Sequence, residues 1–455
     1  MQRFSRAVRS GLCGVAVLAS AGRIDGAAAG PTSAPPGDPA AAPRSGPLRT
    51  VAGRRLRLVT DVPADSEVDA LPQAFDAAVP LWADYFQTPP AAWSGWRVDA
   101  HLIARRAVFE AAGRLPAENP RFVNGFARAD ALWWDEQESA YYRRHLLLHE
   151  GTHAFMRAFL GGAGPGWYME GMAERLATHV WAEGKLRLAQ TPATRDDAPL
   201  WGRIKLIRDA CREGRAWSLE QVLAIDNRRV LNAEAYAWSW ALVSLLDEHP
   251  DRRPVLRGLA AHVREPAAAF NRRFRREIGG AWGDLEAEWQ AFIADLDYGY
   301  DYGRQQLVHR AAAPWTPSSG AVEIEAARGW QSTGWLLRGG ATYRFAAAGR
   351  FSVAADPEPW MSEADGVTLA YHGGAPLGML LGALRPRDDE PSATGSRPPA
   401  PDLPDFLRPC RLGASATLRP AVDGVLYVKI NDAAARRNDN AGGLTLRGEA
   451  VESRD

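Results

Sequence analysis

Apolar positions recur along the first two thirds of the chain with two different periods. In RRLRLVTDV (54–62) and WRVDAHLIA (96–104) apolar and polar residues alternate, which predicts strands. Between them, VDALPQAFDAAVPLWADYF (68–86) repeats at three- to four-residue intervals and predicts an amphipathic helix. RAVFEAAGRL (106–115) predicts another helix. VNGFARADALWWDEQ (123–137), with an Asn-Gly and an Arg-Ala-Asp turn among aromatics, predicts one or two strands near a sheet edge. Residues 139–160 form a strongly apolar helix that must stop at Gly161-Gly162-Ala163-Gly164-Pro165-Gly166, a run that cannot continue it. Helical spacing resumes at about 167–181, and again at about 199–214, 218–225, 233–248, 251–264 and 266–297. Ser218, with Gln221 three residues later, fits a capping box opening the short one.

After DYGYDYG (297–303) the pattern changes to short alternating runs: AVEIEAA, GWLLRG, TYRFAAAGRFSV, GVTLAY, GVLYVKIND and GLTLRG. Each is punctuated by Gly, Asp or Pro, which predicts an all-β sandwich over 320–450, joined by a linker at 304–319. A Pro-rich loop at 386–405 interrupts it. At the other end, Arg3, Arg6 and Arg9 precede the apolar run 11–21, followed by Ala-Ser-Ala at 19–21 and Ala-Ala-Ala at 27–29. That layout predicts a signal peptide over 1–29 and hence an exported protein, periplasmic, cell-surface or extracellular. The run is too short to span a bilayer, so no transmembrane segment is expected. Cys13 follows the bulky Leu12, which argues against lipid attachment. Residues 30–50 are Pro/Ala-rich and read as a disordered tether ahead of a domain at 51–303.

Composition narrows the picture only slightly. A chain of 455 residues implies two or three compact units, and 46% hydrophobic with 24% charged residues is ordinary for a soluble globular protein. Lys+Arg and Asp+Glu are equal at 54 each, so no basic excess asks for nucleic acid. Seventeen tryptophans imply filled cores or aromatic surface sites without choosing between them. Beyond the leader only Cys211 and Cys410 remain, as a pair or as two free thiols.

The chemistry concentrates in HLLLHEGTHAFM, which holds His149-Glu150-Gly151-Thr152-His153. Residues four apart share a helix face, so both imidazoles can reach one cation. Zinc suits them, since it accepts a tetrahedral nitrogen and oxygen shell and needs no redox partner. Glu150 projects beside the ion without ligating it, where it can take a proton from water. An isolated HExxH also arises by chance on a solvated helix face. Uncharged Gly151 and Thr152, the apolar flanks and the Gly/Pro stop argue against that. The next helix carries GWYMEGMAERL, with Glu170 seventeen positions after His153.

These residues resemble the gluzincin clan of zinc metallopeptidases, within it the exported bacterial proteins of peptidase type. The likeness covers roughly residues 54–300. The Trp-x-x-Glu-Gly-x-Ala pattern of its aminopeptidase-type members matches Trp167, Glu170, Gly171 and Ala173. The resemblance implies an α+β metallopeptidase domain with zinc on His149, His153 and Glu170, and with Glu150 as general base. It implies further that Glu174 orients His149, as thermolysin-like members hold their first histidine with a carboxylate. Tyr236, in NAEAYAWSWALVSLL (232–246), falls where gluzincins place a Tyr or His that stabilises the oxyanion. It reads equally well as a core aromatic, and Tyr168 is a weaker alternative. The edge strand predicted within 123–137 would pair with an extended peptide, as in gluzincins. His145 is expected to support the site without ligating, and His101, His179, His249 and His262 to be surface or helix-end residues.

The β region resembles the calcium-dependent bacterial galactophilic lectins and their galactose-binding-like relatives, over roughly 320–450. The likeness rests on GVLYVKINDAAARRNDNAGGLTL, with Asn431-Asp432 at a strand end and Asp439-Asn440 before a glycine, and on GGATYRFAAAGRF (339–351). It implies calcium on Asp432, Asp439 and Asn440, and carbohydrate as a partner. The same residues also serve as plain turn formers, and Arg436 and Arg437 inside the loop oppose a cation. The sequence as a whole predicts a multidomain chain, an α+β gluzincin-type peptidase followed by a β-sandwich, acting on peptide or protein substrates. Two alternatives remain open: a catalytically inactive secreted binding protein, and a zinc hydrolase of a non-peptide amide or ester.

Overall fold

The computed structural model describes residues 47–226, 232–355, 358–387 and 404–451. The predicted signal peptide at 1–29, most of the predicted tether at 30–50 and most of the Pro-rich loop at 386–405 lie outside them. The described chain combines a mixed α/β part with a C-terminal β-sandwich.

The first sheet contains β1 (Arg49–Ala52), β2 (Leu56–Thr60), β3 (Val98–Ile103), β4 (Gly125–Ala127) and β5 (Ala131–Asp135), in the order β1-β2-β3-β5-β4. β2, β3 and β5 are parallel, while β1 and β4 run antiparallel at the two ends. The 123–137 segment therefore makes two strands, and the first of them is the sheet edge. Alternation sorts the tryptophans of β5: Trp134 is buried in the main core, while Trp133 joins His101, Phe109 and Phe126 on the other face. Helices Leu71–Tyr85 and Ala140–Phe155 bring Phe75, Trp82 and Phe155 together in that main core. Eight tryptophans are fully buried, among them Trp82, Trp167, Trp238 and Trp289, so the aromatic excess chiefly fills cores.

The helix Ala140–Phe155, which carries the HExxH motif, widens into a π-type turn over Met156–Leu160 and ends at Gly161, whose φ of 72° is left-handed. The chain returns as helix Gly166–Ala177. It stops four residues short of the predicted 181: Thr178 is extended, and His179–Ala182 pairs with Lys185–Leu188 as a hairpin. β-branched Thr178 and Val180, with a turn at Glu183 and Gly184 (φ 53° and 72°), explain the change. The helix predicted at 266–297 is likewise two helices, Ala267–Ile278 and Trp282–Asp295, divided at Gly279 with φ 58°. The capping box at Ser218 and Gln221 forms as predicted.

In the sandwich one sheet runs Asp365–His372, Ala375–Pro386, Gly424–Ile430, Gln331–Leu337 and Ala313–Pro314. The facing sheet runs Met361–Ser362, Phe351–Ser352, Ala441–Val451, Thr342–Ala348 and Ser415–Leu418. Trp335, Phe345, Leu426, Val428 and Leu444 fill the space between them. Helix Trp282–Asp295 packs Ala287 and Ala291 against Trp330, Ala383 and Tyr427 of the sandwich part. A buried ion pair of Lys429 with Asp295 lies at the same seam. No helix of the described residues is long and apolar enough to cross a membrane.

Two glycines set how closely the helices approach. A Cβ at Gly151 would lie 2.5 Å from the Trp82 ring, and one at Gly171 would lie 2.5 Å from the Ser239 carbonyl oxygen of helix Ala233–Glu248. The uncharged position inside the motif and the glycine after Glu170 therefore have packing reasons. Alanine favours a helix over glycine by about 1 kcal/mol, but the Ser239 oxygen is backbone and cannot swing away. Gly171→Ala is accordingly expected to destabilise the protein by about 1–3 kcal/mol through overpacking. The urea midpoint should fall with an unchanged slope; an unchanged or raised midpoint would show that the two helices are not in contact there.

Candidate metal centre

Ser139 opens the motif helix, its side chain accepting from the Tyr142 amide at 3.3 Å. From Arg144 to Phe155 every residue of that helix is buried, so the motif lies inside the molecule. His149 and His153, one turn apart, direct Nε2 atoms to within 3.1 Å of each other. Glu170, on the returning helix, places Oε2 3.2 Å from both. A tetrahedral zinc with bonds of about 2.0–2.1 Å has ligand-to-ligand edges of about 3.3–3.4 Å, so this triangle closely matches one face. Two imidazole nitrogens and a carboxylate oxygen thus converge at one point, and all three are atoms that a shared cation such as zinc accepts as ligands. Burial pushes the Glu170 carboxyl up, yet His153 and His149 hold it at about 2.

Glu174, one turn on, is 1% exposed and gathers the donors behind the triangle. Its Oε1 lies 3.5 Å from His149 Nδ1 and accepts from Arg203 Nη2 at 2.9 Å. Its Oε2 accepts from Arg203 Nε and Trp201 Nε1, both at 3.1 Å, and lies 3.4 Å from His145 Nε2. Burial opposes the charge, but Arg203, then His145 and His149, hold this carboxyl well below its usual range. An ionised carboxylate facing His149 Nδ1 at 3.5 Å favours the tautomer with its proton on that nitrogen. His145, His149 and Glu174 form a second group of metal-ligand type. Both Glu174 oxygens already accept from Arg203, and the two histidines face different oxygens, so Glu174 suits the part of anchor better than that of ligand. The Nδ1 of His145 lies 3.1 Å from the Ala177 carbonyl, so this ring packs behind the site.

The Glu150 carboxylate lies against the edge strand: a Cβ at Gly125 of β4 would come within 2.2 Å of its Oε1. Burial, with the Glu170 charge, raises its pKa to about 7 against the pull of His153 and Arg157. Tyr236 sits near the start of helix Ala233–Glu248, its ring edge-on to His149 at 5.9 Å and beneath the Arg203 guanidinium at 5.6 Å. Burial and the charges of Glu170, Glu150 and Glu174 push its hydroxyl pKa up, so it stays a neutral donor. Tyr168 is fully buried between Trp167 and Phe270, and the charge it feels is that of Asp247. The structure thus brings His149, Glu150, His153, Glu170, Glu174 and Tyr236 together and leaves Tyr168 in the core.

Sequence reasoning missed Arg203 and Trp201. Their one signal was indirect, in that a buried Glu174 requires a buried positive partner. The expected surface or helix-end position also fails for two histidines. His101 is buried by stacking on Trp133 at 5.1 Å, and His179 by stacking on Tyr141 at 4.5 Å. His249 and His262 do sit at helix ends. Cys211 and Cys410 are free thiols.

In the sandwich, Asp432 and Asn440 are buried neighbours and Asp439 is half-buried. Asp432 Oδ2, Asp439 Oδ1 and Asn440 Oδ1 are each buried without a hydrogen-bond partner. Asn431 has a different task, its amide donating to the carbonyls of His372, Ala375 and Pro376. Arg437 is buried and donates to the carbonyls of Arg328, Ile430 and Asp432, so its charge is directed at backbone although Asp432 also feels it.

No protein-family model matches the chain, and no curated protein matches it. Among solved structures, the N-terminal domain of EclA, described as a PllA-like lectin, matches at 15% identity over 29% of this chain and 95% of that one. Its TM-score is 0.20, a similarity too weak to assign a fold or a ligand.

Removing Arg203 would strand a buried anion. Arg203→Met is expected to destabilise the protein by about 3–5 kcal/mol, whereas Arg203→Met with Glu174→Gln should recover part of the loss. Equilibrium urea unfolding reads both, and a single variant within about 1 kcal/mol of the parent would show that Arg203 does not hold Glu174.

Proposed function

We propose that the chain is a zinc-dependent hydrolase of the gluzincin kind, with peptide bonds as its substrate. The observation that carries this reading is the triangle of His149 Nε2, His153 Nε2 and Glu170 Oε2, with edges of 3.1–3.2 Å, beside a buried carboxylate poised near neutrality. Bound on those three atoms, zinc supplies a Lewis acid that polarises a carbonyl and acidifies water. Glu150 takes the proton of the attacking water and returns it to the leaving amine, a task suited to a group titrating near 7. Tyr236 donates its hydroxyl hydrogen to the oxyanion as it develops. Glu174 and Arg203 hold His149 in one tautomer throughout. Peptide is favoured over other amides and esters by β4, an edge strand lying against Glu150, to which an extended main chain can add as a further strand. The charged and then apolar leader supports an exported enzyme.

Calcium in the sandwich is favoured by a separate observation. Three buried oxygens without hydrogen-bond partners, two of them carboxylate, are of the hard type that this ion prefers. Asp432, Asp439 and Asn440 would hold it. Carbohydrate as the partner of this domain rests on the sequence resemblance alone.

Purified wild type and Glu150→Gln should each carry one zinc per chain. Against a diverse peptide library the variant should lose about 10²–10⁴-fold in rate. A zinc-loaded wild type that cuts nothing would favour the binding-protein alternative, and zinc-free protein would end the metal reading. For the sandwich, calorimetric titration with calcium should give one site that vanishes in Asp432→Ala/Asp439→Ala. Identical flat traces would remove the ion.

A further inference from the structure

Four arginines of the motif helix, the returning helix and the helix behind Glu174 are matched to carboxylates: Arg143 to Glu136, Arg144 to Glu67, Arg175 to Glu248 and Arg203 to Glu174. Arg157 differs from these four. It is exposed, and among the described residues it makes no ion pair and no side-chain hydrogen bond. It follows His153 by four positions and Glu150 by seven, so it extends the same helix face that presents the base. It also belongs to the π-type turn Met156–Leu160, a local widening that re-aims side chains and is frequent at functional sites. Its charge reaches the Glu150 carboxylate, although no ion pair joins the two, so the fork of the guanidinium is left for another anion.

An exposed, unmatched guanidinium four residues beyond His153 has a definite chemical complement. Its planar donors fit a carboxylate in two parallel hydrogen bonds, a geometry that a solvated lysine would not impose. We infer that Arg157 is a specificity residue that binds a carboxylate of the substrate close to the scissile bond, which makes the enzyme selective for anionic peptides. The carboxylate has two sources, a free C-terminus or an Asp or Glu side chain. This inference rests on the hydrolase reading for the existence of a scissile bond, but the binding it describes is separable from turnover.

The experiment uses the full chain with its metal and two pairs of peptides on one core sequence. The first pair differs as C-terminal acid or amide, and the second as Glu or Gln beside the cleaved bond. kcat/KM is measured for the wild type, Arg157→Gln and Arg157→Lys, and binding of the same peptides to the Glu150→Gln protein is measured by calorimetry with and without Arg157→Gln. For one pair the wild type should prefer the charged member about 10–100-fold. That ratio should fall toward one in Arg157→Gln and recover partly in Arg157→Lys. Preference in the first pair identifies a C-terminal carboxylate, and preference in the second an acidic side chain. A wild type that cuts charged and neutral peptides alike overturns the role of Arg157 and leaves the hydrolase standing, as does a preference that survives Arg157→Gln. Absence of all cleavage, with a calorimetric preference that Arg157→Gln abolishes, supports Arg157 and removes the hydrolase. Absence of both removes both.

Discussion

A carboxylate sealed from water must either take a proton or acquire a cation, and at Glu174 Arg203 supplies the cation. The rest of the centre follows from that constraint. The Glu174 carboxylate lies 3.5 Å from His149 Nδ1, on the far side of the ring from Nε2. His149 Nε2 converges with His153 Nε2 and Glu170 Oε2. Trp201 donates to the same carboxylate, and the Arg203 guanidinium also lies over the Tyr236 ring. One buried charge therefore ties the motif helix, the returning helix and the start of helix Ala233–Glu248 to a single point.

Packing makes that arrangement rigid enough to matter. Gly151 admits the Trp82 ring behind the motif, and Gly171 admits the Ser239 backbone behind Glu170. Both approaches are closer than any larger residue allows, so the positions of the helices carrying His149, His153 and Glu170 are set by contact with core atoms. At β4 the constraint is different. Gly125 leaves room for the Glu150 carboxylate itself, which keeps that side chain beside the edge strand of the sheet, whose outer edge has no neighbouring strand among the described residues.

What could be read from the sequence was what short spacing encodes. His149, Glu150 and His153 lie within about one helical turn, and Glu170 and Glu174 within the next helix, so spacing and the resemblance to gluzincins sufficed to propose them. Tyr236 was legible as far as its helix, and only the fold shows its ring beside His149. Arg203 and Trp201 were hard to read because they reach Glu174 from 29 and 27 residues away, across a hairpin and a turn. The returning helix was drawn too long because periodicity alone does not mark Thr178 as extended. The burial of His101 and His179 was missed for a related reason: each is covered by an aromatic face from a neighbouring element, which no linear pattern records. In the sandwich the sequence marked the loop, and the unpartnered oxygens of Asp432, Asp439 and Asn440 add an observation that turn-forming residues alone do not explain.

The most direct test of the centre is the position of the metal. Crystals of the protein with zinc, measured on both sides of the zinc absorption edge, should give one anomalous peak per chain. It should lie about 2.0–2.2 Å from His149 Nε2, His153 Nε2 and a Glu170 oxygen. A peak between His145, His149 and Glu174, or none at the triangle in a zinc-saturated crystal, would contradict the account.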